Sequence, residues 1–131
     1  MDFYSMLLNK NLGGIANNFK LFVSRNLTNV TEGMLDGITK IRDRAFRDCT
    51  SLTSITIPDS VTSIGDYAFD NCSSLESVTV LATTPPTLGT DAFTGTHSNL
   101  KIYVPSESAN ASYQTASGWS SYASKIETIP S

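Results

Sequence analysis

Apolar and polar residues alternate in two four-residue stretches, Ser54–Ile57 and Ser77–Val80. In both, every second position carries isoleucine or valine, and the positions between them carry serine or threonine. Such alternation of β-branched residues predicts a half-buried strand, with the apolar side chains in the core and the hydroxyl groups facing solvent. Pro58 follows the first stretch and should end that strand, because proline has no amide hydrogen to continue a sheet.

The two predicted strands belong to a longer repeat. Residues 41–63 read IRDRAFRDCTSLTSITIPDSVTS, and residues 64–86 read IGDYAFDNCSSLESVTVLATTPP. The recurring anchors, each displaced by 23 residues, are Ile41, Ala45, Phe46, Cys49, Leu52, Ile55 and Ile57, then Ile64, Ala68, Phe69, Cys72, Leu75, Val78 and Val80. A fixed period of roughly 20 to 29 residues is the signature of a leucine-rich solenoid. We therefore expect parallel strands about 4.8 Å apart, and the apolar residues between Val61 and Phe69 should form a convex wall.

A third copy follows with one residue more. Ala92-Phe93 repeats Ala68-Phe69 at an offset of 24, and residues 102–105 repeat the strand with its proline. The extra residue lies in the loop that contains Pro85 and Pro86, where we expect it to redirect the chain before the C-terminal cap.

A degenerate copy precedes the regular ones. Leu27 and Val30 match Leu52 and Ile55 at an offset of 25, so two residues are inserted near Gly33. An atypical terminal repeat is expected in a solenoid, because its outer side faces water. We expect about four coils in total.

The length of 131 residues, of which 40% are hydrophobic, suits one domain with its own core. We expect an N-terminal arm or short helix over residues 1–19 and a single repeat domain over residues 20–131. Within that domain, the N-terminal cap and degenerate coil span residues 20–40, the repeats 41–105 and the C-terminal cap 106–131. In the C-terminal cap, Ser106 is placed to cap a helix that Gly118 ends. The final KIETIP predicts a strand or an extended strip.

The repeat pattern AFxxCxSLxSIxIPxSVTSIG resembles the BspA-like (Treponema-type) leucine-rich repeats of bacterial surface proteins. The ending, KIYVPSESANASYQTASGWSSYASKIETIP, is similar to a segment that often follows such repeats in proteins of gut bacteria. Together they cover roughly residues 27 to 130. The resemblance implies a right-handed solenoid of the α/β class with a small helical C-terminal cap, and adhesion to host or matrix proteins. The first dozen residues resemble virion proteins of phages from gut bacteria.

Charge and hydropathy exclude several kinds of partner. A net charge of −3 and a pI near 4.9 argue against nucleic-acid binding, which needs clustered lysine and arginine. No apolar run approaches the roughly 18 residues that cross a bilayer, and the opening MDFYSMLLNKNLGG lacks the basic and apolar regions of a signal peptide. An extracellular, cell-surface or virion location is therefore an expectation from the resemblance alone.

The sequence predicts no catalytic, metal or cofactor site. His97 is the only histidine and lies in a predicted turn, so no base and nucleophile pair can be assembled around it. The six aspartates of the repeats suggest calcium at first, but they lack the spacing of a calcium loop and suit hydrogen bonds to turn amides. They are Asp43, Asp48, Asp59, Asp66, Asp70 and Asp91.

Two cysteines, Cys49 and Cys72, occupy the same position in adjacent coils. Their α-carbons should be close enough for a disulfide, but their Cβ vectors should be parallel rather than convergent. Buried thiols that donate weakly to a loop carbonyl are the preferred interpretation, and the disulfide is the alternative.

Aromatic and hydroxyl side chains are the candidate binding residues. Tyr103 should stand on the solvent face of the last strand, in line with Thr79, Thr56 and Thr31. The alternative is that threonine and tyrosine simply favour strands. Trp119 should cover the open end of the column together with Tyr113 and Tyr122; as an alternative, a sugar could stack on its indole.

Three functional hypotheses follow. The first is a non-catalytic binding or adhesion module that presents its sheet face to a protein or glycan. The second is a structural spacer or tip module of a phage virion or bacterial surface assembly, self-associating through residues 1–19. The third, an enzyme, is disfavoured because the residues for catalysis are missing.

Overall fold

Parallel strands stack along one axis in two sheets. The computed structural model describes residues 28–130. The predicted arm over residues 1–19 and the first part of the predicted N-terminal cap lie outside the described residues. The strands are β1 (Asn29–Val30), β2 (Lys40–Ile41), β3 (Ser54–Ile57), β4 (Ser63–Ile64), β5 (Ser77–Val80), β6 (Thr87–Leu88), β7 (Lys101–Val104) and β8 (Ile126–Thr128). The helices are α1 (Glu107–Thr115) and two 3-10 helices, Glu32–Leu35 and Trp119–Lys125.

The five-stranded sheet has the order β1-β3-β5-β7-β8, and all neighbouring strands in it are parallel. Ser54 pairs with Ser77 and Ile55 with Val78, so the register follows the 23-residue repeat. In β3, β5 and β7 the apolar residues are buried and the polar residues between them are partly exposed. These observations confirm the predicted solenoid with its inward and outward faces. Strand β8 adds one rung to the four coils that we expected.

The two irregular offsets of the repeat, 25 and 24 residues, also appear in the pairing of the strands. Strand β1 pairs with β3 at an offset of 25, Asn29 with Ser54, so the insertion precedes β2. The 3-10 helix Glu32–Leu35 occupies that inserted segment. Ser63 pairs with Thr87 at an offset of 24, which places the other extra residue in the loop before β6.

A second sheet, which the sequence analysis did not predict, forms part of the expected convex wall. It is three-stranded, with the order β2-β4-β6, and its strands are parallel. Ile41, Ile64 and Leu88 stack in register and face the core. Each of these strands has only two residues, which is too short for an alternating pattern to be recognised.

Backbone hydrogen bonds join the coils between the two sheets as well. The N–H groups of every second residue from Arg44 to Asp48 donate to carbonyls of the next coil, at 2.7 to 2.9 Å. The next coil repeats the pattern from Tyr67 to Asn71, at 2.8 to 2.9 Å. This turn is therefore bonded along the stack as continuously as a strand.

Two positions in each coil have a positive φ, and they lie at the two ends of this hydrogen-bonded turn. The first is occupied by Arg44, Tyr67 and Asp91 (φ 60°, 57° and 51°), and the second by Asp48, Asn71 and Gly95 (φ 64°, 62° and 76°). Residues at the second position tolerate the left-handed conformation, whereas arginine and tyrosine at the first adopt it at a cost of about 1 kcal/mol each. The hydrogen bonds between coils offset that strain.

A column of phenylalanine rings fills the core. Phe46 stacks on Phe69 at 5.2 Å between centroids, and Phe69 on Phe93 at 5.3 Å, with interplanar angles of 3° and 9°. All three rings are almost fully buried. At its C-terminal end the column meets the edge of Tyr122 and the tilted ring of Trp119.

The C-terminal cap is fixed to the third coil by two buried hydrogen bonds. The Tyr113 hydroxyl donates to the Ala82 carbonyl at 2.6 Å, and the Trp119 indole N–H donates to the Pro86 carbonyl at 2.7 Å. Burial raises the pKa of Tyr113. The loop containing Pro86, which we expected to redirect the chain, therefore holds the cap.

Ser106 caps helix α1, as predicted, since its hydroxyl accepts the amide N–H of Ala109 at 3.2 Å. The prediction that Gly118 ends this helix is wrong. The helix ends at Thr115, and Gly118, with a φ of 83°, precedes the following 3-10 helix. Within the KIETIP segment, Ile126–Thr128 forms β8, which is parallel to β7.

Cys49 and Cys72 are buried and are not joined by a disulfide, which agrees with the preferred interpretation of two buried thiols. The Cys72 thiol donates to the Phe46 carbonyl at 3.0 Å. A hydrogen bond with Cys49 and burial raise the pKa of Cys72. Both cysteines thus act as small core residues, and the Cys72 thiol remains protonated.

Candidate binding face

Two rows of polar side chains run across the outward face of the five-stranded sheet. The pairing of the strands aligns Asn29, Ser54, Ser77 and Lys101 in the first row, and Thr56, Thr79, Tyr103 and Glu127 in the second. All of these residues are partly or fully exposed. We refer to these eight residues as the binding face.

Tyr103 lies next to the only charged pair of the binding face. The Lys101 ammonium is 2.8 Å from a Glu127 carboxylate oxygen, and nearly half of each side chain is exposed. The hydrogen bond with Glu127 raises the pKa of Lys101. Our expectation that Tyr103 stands on the last strand is wrong, because Glu127 of β8 follows it in the row.

The remaining predicted site residues lie elsewhere. Thr31 is exposed one residue beyond β1, whose pairing ends at Val30, and it caps the 3-10 helix Glu32–Leu35. It lies outside the paired ladder. Trp119 is fully buried, so the alternative in which a sugar stacks on its indole is wrong. Its cap position follows from the indole bond to Pro86, a partner 33 residues earlier in the chain.

Sequence reasoning missed a groove beside the binding face. It has a volume of about 400 Å³ and lies where the chain leaves β3 and β5. Its lining residues are Asp59, Val61, Thr62, Leu81, Ala82, Thr83, Thr84, Pro85 and Pro86. The extra residue in the Pro85-Pro86 loop was the signal in the sequence. With one carboxylate and no histidine or lysine in its lining, the groove has no acid and base pair for catalysis.

Asp43 and Asp66 accept hydrogen bonds from backbone amides, as predicted, but these amides belong to the next coil. Asp43 accepts from the Asp66 N–H and Asp66 from the Thr90 N–H, both at 2.8 Å. His97 lies in a turn and accepts the Asn99 N–H at 3.0 Å. Among residues 28–130, no three His, Cys, Asp or Glu side chains are grouped so as to hold a metal ion.

Across the same described residues, the structure contains no helix that is both long and apolar enough to span a membrane. A comparison with curated proteins gave no match to this chain.

A family model, described as BspA type Leucine rich repeat region (6 copies), matches residues 16–129. Leucine-rich repeats generally mediate protein interactions and are typically not enzymes, and BspA-type repeats often occur in surface-associated proteins. The match extends over most of the 131 residues and includes both the repeats and the C-terminal cap. The chain therefore belongs to the family of BspA-type leucine-rich repeat proteins.

Proposed function

We propose that this chain is a non-catalytic adhesion module whose binding face contacts a protein or glycan outside the cell. The observation that carries the proposal is the alignment of the two polar rows in register on a rigid sheet. Their apolar neighbours fill the core, whereas these side chains are partly exposed. They are therefore available for contact without any rearrangement of the fold.

The chemistry of the binding face indicates how a partner would be recognised. Its first three strands carry hydroxyl and amide groups, and the Lys101–Glu127 pair adds no net charge. Tyr103 adds rigid contact area and a hydroxyl group, a combination that is enriched at protein interfaces. We infer that recognition depends on hydrogen bonds and aromatic contact, so affinity should vary little with salt.

A surface location is part of this proposal, and it is supported by the frequent occurrence of BspA-type repeats in surface-associated proteins. The alternative role as a structural spacer or tip module depends on self-association through residues 1–19. That segment lies outside the described residues, so the alternative rests on the sequence alone.

The test is binding of the full chain to immobilised matrix glycoproteins and to a glycan array. We expect Thr79→Arg, at the centre of the binding face, to reduce binding at least tenfold. Thr87→Arg is the matched control, because Thr87 is an exposed strand residue of the three-stranded sheet. Equal binding by the two variants, or no binding to any probe, would overturn the proposal.

A further inference from the structure

Three side chains form a row on the turn between β2 and β3 and its equivalents in later coils. Arg44, Tyr67 and Asp91 occupy the same position in consecutive coils and share a left-handed backbone conformation. The row is rigid at its base, because the Arg44 and Tyr67 N–H groups donate to carbonyls of the next coil at 2.9 Å. Arg44 and Asp91 are exposed, and Tyr67 is half-buried. The order along the stack is cation, aromatic ring, anion.

The two ends of this row carry opposite charges, and within residues 28–130 neither Arg44 nor Asp91 forms an ion pair. The Arg44 guanidinium lies over the Tyr67 ring, 5.2 Å from its centroid, and Lys40 and Arg42 of the same coil are exposed. In the coil that holds Asp91, residues 87–96 include no lysine or arginine. The row therefore runs from a cationic coil, which holds Arg44, to an anionic coil, which holds Asp91.

The other carboxylates of this wall are already engaged. Asp43 and Asp66 accept amide hydrogen bonds from the next coil, and Asp70 lies 3.1 Å from the Arg47 guanidinium. Asp48 accepts a hydrogen bond from the Asn71 amide at 2.9 Å. These four carboxylates lower the net charge of the wall, but they leave its two ends different.

A row with opposite charges at its ends and an uncharged ring at its centre is complementary to itself under a two-fold axis through the ring. We propose that two copies of this chain associate side by side and antiparallel through this row. Arg44 of each copy then faces Asp91 of the other, and the two Tyr67 rings meet at the axis. With a spacing of about 4.8 Å between rungs, each ion pair lies roughly one rung from the axis.

The surface around the row has room for a second copy. Gly65 and Gly89 precede Tyr67 and Asp91 by two residues, and each lines a depression, of about 300 and 310 Å³ respectively. In the antiparallel pairing, the depression beside Asp91 can accept the long Arg44 side chain of the other copy, whereas the one beside Gly65 lies at the cationic end, next to Lys40 and Arg42. A contact across three rungs is smaller than the roughly 800 Å² per partner of stable complexes, so the dimer should be weak and sensitive to salt.

This contact is separate from the binding face, since none of its three residues belongs to the five-stranded sheet. It is also separate from the self-association expected for residues 1–19. A foreign protein with the same order of charges would fit the row too, and in that case the chain alone would remain a monomer.

The test is sedimentation equilibrium of the full chain over a concentration series up to about 1 mM, as suits a small interface. We expect a monomer–dimer equilibrium at low salt that shifts towards the monomer at about 1 M salt, where the Debye length falls to about 3 Å. A monomer at every concentration would overturn the proposal and leave the row to a foreign partner.

Charge-reversal variants test whether Arg44 and Asp91 form the contact between the two copies. Arg44→Asp and Asp91→Arg should each weaken association at least tenfold, and the variant that carries both changes should restore it. Lys125→Asp, which removes a cation of the cap, is the control and should leave the equilibrium unchanged. Retained association in Arg44→Asp would assign the contact to another surface, and failure of the double variant would refute the antiparallel pairing. Circular dichroism of each variant checks that the fold is intact.

Discussion

The central ring of the phenylalanine column, Phe69, is the only one of the three that stacks on a phenylalanine on both sides. Phe69 is fully buried and contacts a ring on either side, Phe46 at 5.2 Å and Phe93 at 5.3 Å. We expect Phe69→Ala to lower the free energy of unfolding by about 3 to 5 kcal/mol.

The magnitude follows from the contacts that are lost. Removing the ring forfeits roughly 1.5 to 3 kcal/mol of apolar burial, and two ring pairs contribute about 0.5 to 1.5 kcal/mol each. The cavity cannot close easily, because the Phe46 and Phe69 N–H groups hold the coils together at 2.7 and 2.8 Å. The loss should therefore lie within the upper part of the range for core truncations.

Urea unfolding followed by circular dichroism, with linear extrapolation, measures the change. Tyr103→Ala is the matched control, because it removes an aromatic ring from the exposed binding face and should change stability by less than about 1 kcal/mol. A loss below about 1 kcal/mol for Phe69→Ala would show that the column does not carry the core. A large loss for Tyr103→Ala would assign that residue a structural role.

Three other changes test separate parts of the fold, each by the same unfolding measurement. Gly65→Ala should cost about 1 to 3 kcal/mol by overpacking, since a Cβ there would come within 2.5 Å of the Asp43 amide nitrogen. Gly33→Ala should be nearly neutral, because the first atom that its Cβ would meet beyond the chain neighbours and the helix backbone is the Thr31 hydroxyl oxygen, at 4.0 Å. Equal effects would refute this packing. Ser106→Ala should cost about 1 kcal/mol because helix α1 loses its cap, and no change would mean that the cap bond is dispensable. The pKa of Cys72 is raised in the folded state, so its contribution to the free energy of unfolding is complete below the unfolded pKa of about 8.5 and declines above it by up to about 1.4 kcal/mol per pH unit. Cys72→Ala should therefore make the free energy of unfolding fall less steeply between about pH 8.5 and 10. An unchanged slope would count against this.

The sequence predicts strands β3 and β5 and the core beneath them because the alternation and the 23-residue period specify the same residues. The positions with a left-handed backbone could be predicted from the sequence only in part. Asp48, Asn71 and Gly95 are residue types that tolerate a positive φ, so their alignment was a usable signal. Arg44 and Tyr67 gave none, since their conformation is imposed by bonds to the next coil.

The binding face was predicted as far as the repeat extends. Thr56, Thr79 and Tyr103 follow from alternation within a strand and from the offset between coils. Glu127 was missed because β8 comes after a helical segment, where the repeat no longer sets the register. The burial of Trp119 could not be predicted, because its indole N–H donates to the Pro86 carbonyl, which lies in a loop 33 residues earlier in the chain. A sugar contact therefore stayed open as an alternative for this residue.

The bonds that join coil to coil in the turns are made by backbone N–H and C=O groups, so they do not depend on which side chains a coil carries. A duplicate of residues 41–63 inserted after Ser63 would meet the same backbone groups above and below it. The cap would still close the stack, because its anchors, the carbonyls of Ala82 and Pro86, lie after the point of insertion and keep their place relative to the cap. This protein can therefore be lengthened in whole coils, each adding about 4.8 Å of sheet and one more ring to the core, while both of its ends stay as they are.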